Sequence, residues 1–184
     1  IVLKNTKKVV RPPPDLKISE WADSHRRLSP ENSAEAGQWN TTRAEYQREI
    51  MDTFNDPDIQ RIVVMTSSQV GKTELVLNAI AYYMDQDASP MLCVQPTLAM
   101  AQSFSKDRLA AMIRDSKKIK DLVVEAKSRD SGNTVLHKRF PGGHLSLVGS
   151  NSAAGLASRP IRVLLLDEVD RYELSAGSEG SPVD

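Results

Sequence analysis

The sequence predicts an α/β domain with a mostly parallel central sheet flanked by helices. Three observations lead to this prediction. Short apolar runs alternate with stretches of helical periodicity, a polar loop joins one such run to a long helical stretch, and the last run is almost wholly aliphatic. Alternation of this kind is typical of domains in which helices cover a sheet of parallel strands.

Length and composition indicate one main globular domain. The chain has 184 residues, of which 40% are apolar and 26% charged. No apolar run approaches the roughly eighteen residues that a membrane span requires, so we expect no membrane partner. Lys+Arg and Asp+Glu both number 24, so the net charge is zero and any contact with nucleic acid must be local.

Cysteine and histidine usage argues against two kinds of site. The single cysteine, Cys93, lies in an apolar run, which excludes a disulfide framework and suits a reducing compartment. The chain has 3 histidines, so we do not expect a zinc site. His137 and His144 fall in a hairpin-like stretch, where we interpret them as surface or structural residues.

Residues 1–38 are interpreted as a basic, proline-rich arm with a lead-in segment, and residues 39–184 as the folded domain. The basic residues that precede the first acidic residue, Asp15, are Lys4, Lys7, Lys8 and Arg11. Three prolines at residues 12–14 favour an extended spacer. Such an arm could contact DNA phosphates or a partner protein, or have no partner. Because the chain starts at Ile1 and stops in a loop-like stretch, we expect it to be part of a longer protein.

The first predicted strand–loop–helix unit is preceded by a short helix. Residues 45–54 suit a helix that ends before Pro57, because proline keeps the preceding residue out of the helical region. Residues 62–65 are rich in β-branched side chains and are predicted to form a buried strand. After a polar loop, residues 72–84 are predicted to form an amphipathic helix.

The second unit repeats this pattern and is followed by two further strand signals. Residues 91–94 form an apolar strand, and Pro96 and Thr97 supply a turn and an N-cap for a helix that continues to residue 113. Residues 135–140 and 144–148 are predicted to form a hairpin around Pro141, Gly142 and Gly143. The aliphatic run at residues 161–166 suits a central parallel strand buried on both faces.

The loop between the first predicted strand and its helix matches the end of the phosphate-binding consensus. It departs from the consensus at the first glycine, where Thr66 stands. A loop in this position directs several backbone N–H groups to one spot, where the helix dipole also favours negative charge. The predicted ATP-binding residues of the loop are Ser67, Ser68, Gln69, Val70, Gly71, Lys72 and Thr73. An ordinary turn with a surface lysine is the alternative, but the flanking strand and helix argue against it.

Three residues of this loop have separate predicted roles. Gly71 lets the backbone approach the phosphates, Lys72 reaches the β and γ phosphates as a catalytic cation, and the Thr73 hydroxyl binds Mg²⁺. These roles define a site for ATP and Mg²⁺.

Two adjacent carboxylates follow the last aliphatic run. Asp167 and Glu168 lie at the carboxyl end of that strand, where ligands of open α/β sheets bind. We predict that Asp167 holds the Mg²⁺ shell and that Glu168 is the catalytic residue that polarises the attacking water. A strand that ends in solvated acids is the alternative. The role of Asp170 stays open between coupling hydrolysis to movement and pairing with Arg159 or Arg171.

Aromatic and amide side chains precede the first predicted strand. Tyr46 could stack on adenine while Gln47 reads its hydrogen-bonding edge, and Trp39 lies just upstream. A packed helix with aromatic anchors explains the same pattern equally well.

Taken in order, these stretches resemble the large terminase subunit of lambda-type tailed phages, the GpA-like family, over nearly the whole chain. The supporting stretches are Glu20-Trp21-Ala22-Asp23, Trp39 with Tyr46-Gln47-Arg48-Glu49-Ile50-Met51, the loop at residues 67–73, Gln95-Pro96-Thr97, Lys138-Arg139-Phe140, Asp167-Glu168 and Glu179-Gly180-Ser181-Pro182. Their order and spacing make the combination specific.

The resemblance implies a fold and a function. The fold is an additional-strand, RecA-like P-loop ATPase, and the activity is ATP hydrolysis that drives double-stranded viral DNA into a preformed capsid. The implied partners are the small terminase subunit and the capsid portal protein, with the motor working as a homo-oligomeric ring at the portal vertex of the procapsid in the host cell cytoplasm. An endonuclease domain is expected beyond Asp184.

One residue of the family pattern is not identified. Some related large terminases carry an arginine inside the phosphate loop, whereas the matching stretch here reads Ser67-Ser68-Gln69. The candidates for the charge-stabilising arginine are Arg159, Arg162, Arg171 or a residue of a neighbouring subunit.

Two alternative functions remain at this stage. A nucleic-acid helicase is one, because residues 167–170, Gln47 and the segment from Gln95 to Thr97 have counterparts in that superfamily, and it would require a second RecA-like domain after this one. The other is a non-hydrolysing module whose nucleotide site serves assembly, and the presence of Glu168 argues against it.

Overall fold

A computed structural model describes residues 15–123, 132–156, 160–176 and 180–183. The strands are β1 Arg27–Leu28, β2 Gly37–Gln38, β3 Met91–Gln95, β4 His137–Phe140, β5 Gly143–Gly149 and β6 Val163–Leu166. The α-helices are α1 Ile18–His25, α2 Tyr46–Thr53, α3 Lys72–Asp85, α4 Leu98–Ser103, α5 Ala110–Asp115, α6 Lys117–Leu122 and α7 Ala153–Leu156. Single 3-10 turns lie at Thr41–Ala44 and Val169–Arg171.

Among the described residues, the main sheet has four strands in the order β4-β5-β3-β6. β3 pairs in parallel with β5 on one side and with β6 on the other, and β4 pairs antiparallel with β5 through the predicted hairpin. β1 and β2 form a separate two-stranded antiparallel ribbon. The predicted α/β class with a mostly parallel sheet flanked by helices is therefore confirmed.

β3 is buried along its whole length, and its alternate side chains contribute to two apolar clusters. Met91 and Cys93 join the larger cluster, which contains α3, whereas Leu92 and Val94 join a smaller cluster on the opposite face with Val148. Burial of the Cys93 thiol raises its pKa to about 12, so Cys93 behaves as an apolar core residue.

The helix α3 occupies the centre of the larger cluster. Residues 77–84 are buried without interruption, because α1, α2 and α6 pack around the helix while the sheet covers its remaining side. Because residues 77–84 are buried on every side, α3 is a core helix. The predicted helix is confirmed, but it is more deeply buried than an amphipathic surface helix.

The helix predicted to follow β3 is also confirmed, with a wider turn in its middle. α4 and α5 are joined by a π-helical segment, Phe104–Leu109. Phe104 and Leu109 are both buried although they lie five positions apart, a spacing that the i→i+5 bonding of a π turn accommodates on one face. Thr97 caps α4 as predicted, accepting a hydrogen bond from the Met100 N–H at 3.2 Å.

Two strand predictions are wrong. Residues 62–65 form no strand, and Val63 and Met65 are 81% and 94% exposed. The run at residues 161–166 yields β6, which is an edge strand with Leu164 51% exposed rather than a central strand. Both differences have one cause, since a buried parallel strand needs a hydrogen-bonded neighbour on each side and β6 pairs only with β3 in the described part of the chain.

The packed core begins before residue 39. α1 buries Ile18 and Trp21 completely, and the Trp21 indole donates to Asp85 Oδ2 at 2.8 Å at the far end of α3. The Asp23 carboxylate accepts from the Thr41 backbone at 2.6 Å and from its hydroxyl at 2.8 Å. Residues from 18 onward thus belong to the same packed unit as α3, and the basic stretch at residues 4–11 lies outside the described residues.

No helix in the described ranges is both long enough and apolar enough to cross a membrane.

The contact between Trp21 and Asp85 predicts a pH-dependent stability. Burial alone would raise the pKa of Asp85, but hydrogen bonds from Trp21 and Gln86, together with Lys118, bring it below its usual value. Asp85 therefore stabilises the fold above the carboxyl pKa of the unfolded chain, about 4, and this contribution is lost as pH falls through the lower pKa of the folded state. Asp85→Asn should cost about 1 kcal/mol at neutral pH and nothing in strong acid.

Urea unfolding of the wild type and of Asp85→Asn, at neutral pH and in strong acid, measures this difference in the free energy of unfolding. Asp87→Asn is the matched control, because Asp87 pairs with Arg162 at the surface, with both side chains substantially exposed. It should change stability little at either pH. An Asp85→Asn penalty that stays constant into strong acid would contradict the assignment.

Candidate functional site

The carboxyl ends of three parallel strands meet at one edge of the sheet. β5, β3 and β6 are neighbours that run in the same direction, so Gly149, Gln95 and Asp167 lie side by side where these strands end or have just ended. The chain then leaves the sheet in three polar turns. This is the edge at which open α/β sheets bind ligands.

Asp167 is held at this edge by the neighbouring strand. Its backbone N–H donates to the Val94 carbonyl at 3.1 Å, which extends the β3–β6 ladder one residue beyond β6. Its side-chain Oδ2 accepts a hydrogen bond from Gln95 Nε2 at 3.1 Å. Backbone and carboxylate are both fixed by β3, so the carboxylate points in a defined direction.

Two further residues stiffen the same edge. The Tyr172 hydroxyl donates to the Val94 carbonyl at 2.9 Å, and burial, with Cys93 and Asp167 nearby, raises the pKa of Tyr172. Ser150 donates from its N–H to the Gln95 carbonyl and from its hydroxyl to the Pro96 carbonyl, both at 2.8 Å. The turns after β3, β5 and β6 are therefore joined to one another.

Glu168 adopts an unusual conformation directly after Asp167. Its φ of 52° lies in the left-handed region, which residues with a Cβ rarely occupy. One carboxylate oxygen, Oε2, is buried and lies 3.1 Å from Arg171 Nη1 across the 3-10 turn. Strained backbone of this kind is concentrated at functional sites.

The polar loop before α3 has two left-handed residues. Ser67, Ser68 and Gln69 are exposed, Gln69 has φ 61°, and Gly71 has φ 80° as the residue that precedes the first turn of α3. This geometry leads the chain into a helix of 14 residues that begins at Lys72. The first N–H groups of such a helix have no carbonyl partner within it and favour an anion.

α3 is followed directly by β3. A short link joins its last residue, Asp85, to the amino end of β3, and we expect a helix linked in this way to run antiparallel to the strand, with its amino end toward the carboxyl edge. It packs on the face that contains Cys93 and Leu165. Because side chains alternate along a strand, Gln95 and Asp167 project from that same face.

Tyr46 and Gln47 contact the loop from α2. The Tyr46 hydroxyl and Gln47 Nε2 both donate to the Val70 carbonyl, at 2.8 and 2.9 Å. Gln47 is buried, and a Cβ added to Gly71 would lie 2.6 Å from its Nε2. The amide thus closes against the loop backbone, and the adenine contacts predicted for these two residues stay a prediction.

A buried ion pair anchors the first turn of α3. Arg26 is 2% exposed and its Nη2 lies 2.7 Å from Glu74 Oε2. Burial lowers the pKa of Arg26, and Glu74 opposes that shift. The residue after Thr73 is thereby tied to the segment between α1 and β1, and loss of either partner would leave a buried charge uncompensated.

The three candidate arginines have different surroundings. Arg171 lies beside Glu168. Arg162 precedes β6 and pairs with Asp87 at 2.7 Å and Ser89 at 2.9 Å, so it lies at the opposite end of the strand from Asp167, about 16 Å along the chain. Arg159 lies outside the described residues.

Sequence patterns did not reveal the residues that hold the site in place. No sequence pattern assigns Gln95 a role, although the parallel register places it beside Asp167. Arg26 and Glu74 are far apart in sequence and follow no motif, so only the folded structure could pair them.

Comparison with known proteins gives a consistent result. The family described as phage terminase large subunit gpA, ATPase domain, matches residues 33–184. The chain is 29% identical over 171 residues to a terminase large subunit of Enterobacteria phage P21, which covers 92% of this chain and 26% of that protein. It is 28% identical over 173 residues to a terminase large subunit of Escherichia phage lambda, covering 94% and 26%. The chain spans about a quarter of the length of these curated relatives. No solved structure matches it significantly.

Gly71→Ala tests the loop geometry independently of any ligand. The substitution should lower the free energy of unfolding by about 2–3 kcal/mol, because it adds a Cβ both at a left-handed position and against Gln47. Gly180→Ala is the control: φ is 93° there but nothing lies within 4 Å, so it should cost less, about 1 kcal/mol. Equal penalties in chemical denaturation would show that Gln47 does not close against the loop.

Proposed function

Since the chain belongs to the family of phage terminase large subunit gpA ATPase domains, we propose that residues 67–73 bind the phosphates of ATP and that Asp167 and Glu168 act in its hydrolysis. The resemblance seen in the sequence is confirmed by this match. The observation that supports the site most directly is the Asp167 carboxylate, which Gln95 fixes at the carboxyl edge of the parallel strands.

The loop and α3 together provide the phosphate site. Left-handed Gly71 leads into the helix, whose free N–H groups and dipole attract the phosphate charge. Lys72, at the first helical position, supplies a positive charge for the β and γ phosphates. Tyr46 and Gln47 hold the Val70 carbonyl and so fix the loop from outside, while the exposed Tyr46 ring is placed to stack on a base.

The residues present fit Mg²⁺. The donors are hard oxygens, the Thr73 hydroxyl in the first turn of α3 and the Asp167 carboxylate, which is the ligand type that Mg²⁺ prefers. The neutral Gln95 amide fixes Asp167 without cancelling its charge, which suits a cation ligand. When bound, Mg²⁺ supplies positive charge to the phosphate oxygens.

Glu168 is assigned the role of orienting the attacking water. It follows Asp167 directly, just beyond the end of β6. Its Oε2 faces Arg171 in this conformation, which leaves Oε1 to accept a hydrogen bond from the water. Arg171 lies beside Glu168, whereas Arg162 lies at the other end of β6, which favours Arg171 as the arginine contributed by this chain.

At the level of the whole protein, we assign the domain to the DNA-packaging motor. The relatives are named terminase large subunits, and we propose that the large subunit containing this domain couples ATP hydrolysis to the movement of double-stranded DNA into a capsid. The small terminase subunit, the portal protein, a homo-oligomeric ring and a location at the procapsid portal in the host cytoplasm belong to the same proposal. So do the RecA-like, additional-strand topology and a nuclease elsewhere in that subunit.

The family match also bears on the two alternatives. A terminase ATPase family favours packaging over a helicase, and an ATPase-domain family favours hydrolysis over a site used only for assembly.

Lys72→Ala tests nucleotide binding by this chain. The affinity for a fluorescent ATP analogue should fall by about 10–100-fold, because the variant removes the positive charge at the β and γ phosphates. Lys117→Ala is the control, since Lys117 is an exposed lysine at the start of α6, and it should bind like the wild type. Equal affinities of wild type and Lys72→Ala would contradict the phosphate-loop assignment.

Substitutions at Asp167 and Glu168 separate binding from chemistry. In the large subunit that contains this domain, Glu168→Gln should keep ATP affinity while turnover falls by roughly 10²–10⁴-fold, the loss typical of a positioned general base. Asp167→Asn should make nucleotide binding more dependent on Mg²⁺ concentration and also slow turnover.

Phosphate release and nucleotide titration over a range of Mg²⁺ concentrations measure both effects. If Glu168→Gln hydrolyses ATP at the parental rate, the catalytic carboxylate is a different residue, and Asp170 is the next candidate. Equal loss of binding in both variants, with an intact circular dichroism spectrum, would contradict the division of roles.

A further inference from the structure

We propose that Gln95 is a positioning residue for the metal carboxylate: its buried, uncharged amide fixes the orientation of Asp167 for a divalent cation. The inference rests on the proposed function, because it takes Asp167 to be a metal ligand. It adds a residue that has no assigned part in phosphate binding or hydrolysis.

The pairing of β3 with β6 brings Gln95 and Asp167 into contact. Val94 pairs with Leu166, so the next residues on the two strands, Gln95 and Asp167, stand opposite each other. The side chains of neighbouring residues in paired strands lie on the same face, and here the distance between Nε2 and Oδ2 is 3.1 Å. No long or flexible segment has to order for the bond to form.

Because the Gln95 side chain is buried, loss of this hydrogen bond would be energetically costly. Gln95 is 3% exposed, and besides Asp167 its amide nitrogen has only a weak contact to Cys93 Sγ, at 3.9 Å, among the described residues. A buried amide without a strong acceptor is costly, so the side chain and Asp167 hold each other in place. A donor on one carboxylate oxygen also restricts rotation of the group and so limits the positions of the second oxygen.

The donor to Asp167 is an uncharged amide, so Gln95 can orient the carboxylate without forming an ion pair with it. A lysine or arginine at residue 95 could also orient Asp167, but its positive charge would compete with a bound cation. The glutamine amide is neutral and donates a hydrogen bond, so Asp167 keeps its attraction for Mg²⁺. Partners of this kind, hydrogen-bonded to a metal ligand, typically change metal affinity by 10–100-fold when they are lost.

The turn after β5 holds Gln95 itself in place. The Gln95 carbonyl accepts from the Ser150 N–H at 2.8 Å. A Cβ on Gly149 would lie 2.5 Å from the Leu98 nitrogen, so the turns after β3 and β5 pack with no space between them. The amide therefore approaches Asp167 from a rigid support.

Gln95→Met is the test, because methionine keeps the length and volume of the side chain but cannot donate. Binding of Mn²⁺, used in place of Mg²⁺, is followed by electron paramagnetic resonance in the presence of ADP, with no hydrolysis involved. We expect the apparent Mn²⁺ dissociation constant to rise about tenfold. Asp167→Asn should raise it at least as much.

Ser150→Ala is the matched control. It removes another buried hydrogen bond at the same edge, to the Pro96 carbonyl, without touching Asp167. It should cost comparable thermal stability and leave Mn²⁺ binding unchanged. Gln95→Asn, which keeps an amide too short to reach Asp167, should weaken Mn²⁺ binding as Gln95→Met does, and it replaces that variant if methionine prevents folding.

The Mn²⁺ measurements test the role of Gln95 and the metal site at Asp167 separately. If Asp167→Asn weakens Mn²⁺ binding but folded Gln95→Met or Gln95→Asn binds like the wild type, the role of Gln95 is overturned and the metal site stands. If wild type and Asp167→Asn bind Mn²⁺ equally, Asp167 is not a ligand and both proposals fail. If Ser150→Ala weakens binding as much as Gln95→Met, general loosening of the edge replaces positioning.

Discussion

The site depends on the parallel pairing of β3 with β5 and β6. This pairing buries all five residues of β3 and aligns the carboxyl ends of three strands, so it decides which polar side chains become neighbours. The contact between Gln95 and Asp167, the backbone bond from Asp167 to Val94 and the contact of Ser150 with Gln95 all follow from that register. A shift of β6 by one residue would turn Asp167 to the opposite face and remove it from the side covered by α3.

Local sequence patterns were sufficient where one segment determines its own structure. The helices α2 and α3, the strand β3 and the β4–β5 hairpin lie close to their predicted positions, because helical spacing, the apolar run at residues 91–94 and the Pro141-Gly142-Gly143 turn act within a few residues. The loop before α3 is predicted only in part: α3 follows it and Gly71 is left-handed, but the strand predicted before it is absent and its role toward phosphate stays a prediction.

Sequence patterns failed where the burial or the partner of a residue depends on a distant segment of the chain. Residues 62–65 have the composition of a buried strand, yet burial requires a neighbour that no local pattern can supply. Arg26 and Glu74 pair across 48 positions, and the depth of α3 in the core depends on three helices that pack around it. Gln95 is an intermediate case, since its place beside Asp167 could be read from two strand ends once the sheet order is known.

The unpaired outer edge of β6 has a consequence for handling the chain in solution. Leu164 is 51% exposed on a strand with open N–H and C=O groups on one side, within the part of the chain that the structure describes, and the apolar side chains of Val63 and Met65 are exposed as well. An open, apolar strand edge is a template for edge-to-edge self-association. When no other segment covers the free edge of β6, we expect this domain to form oligomers and aggregates as its concentration rises. These would form through contacts between strand edges that are separate from the proposed nucleotide site.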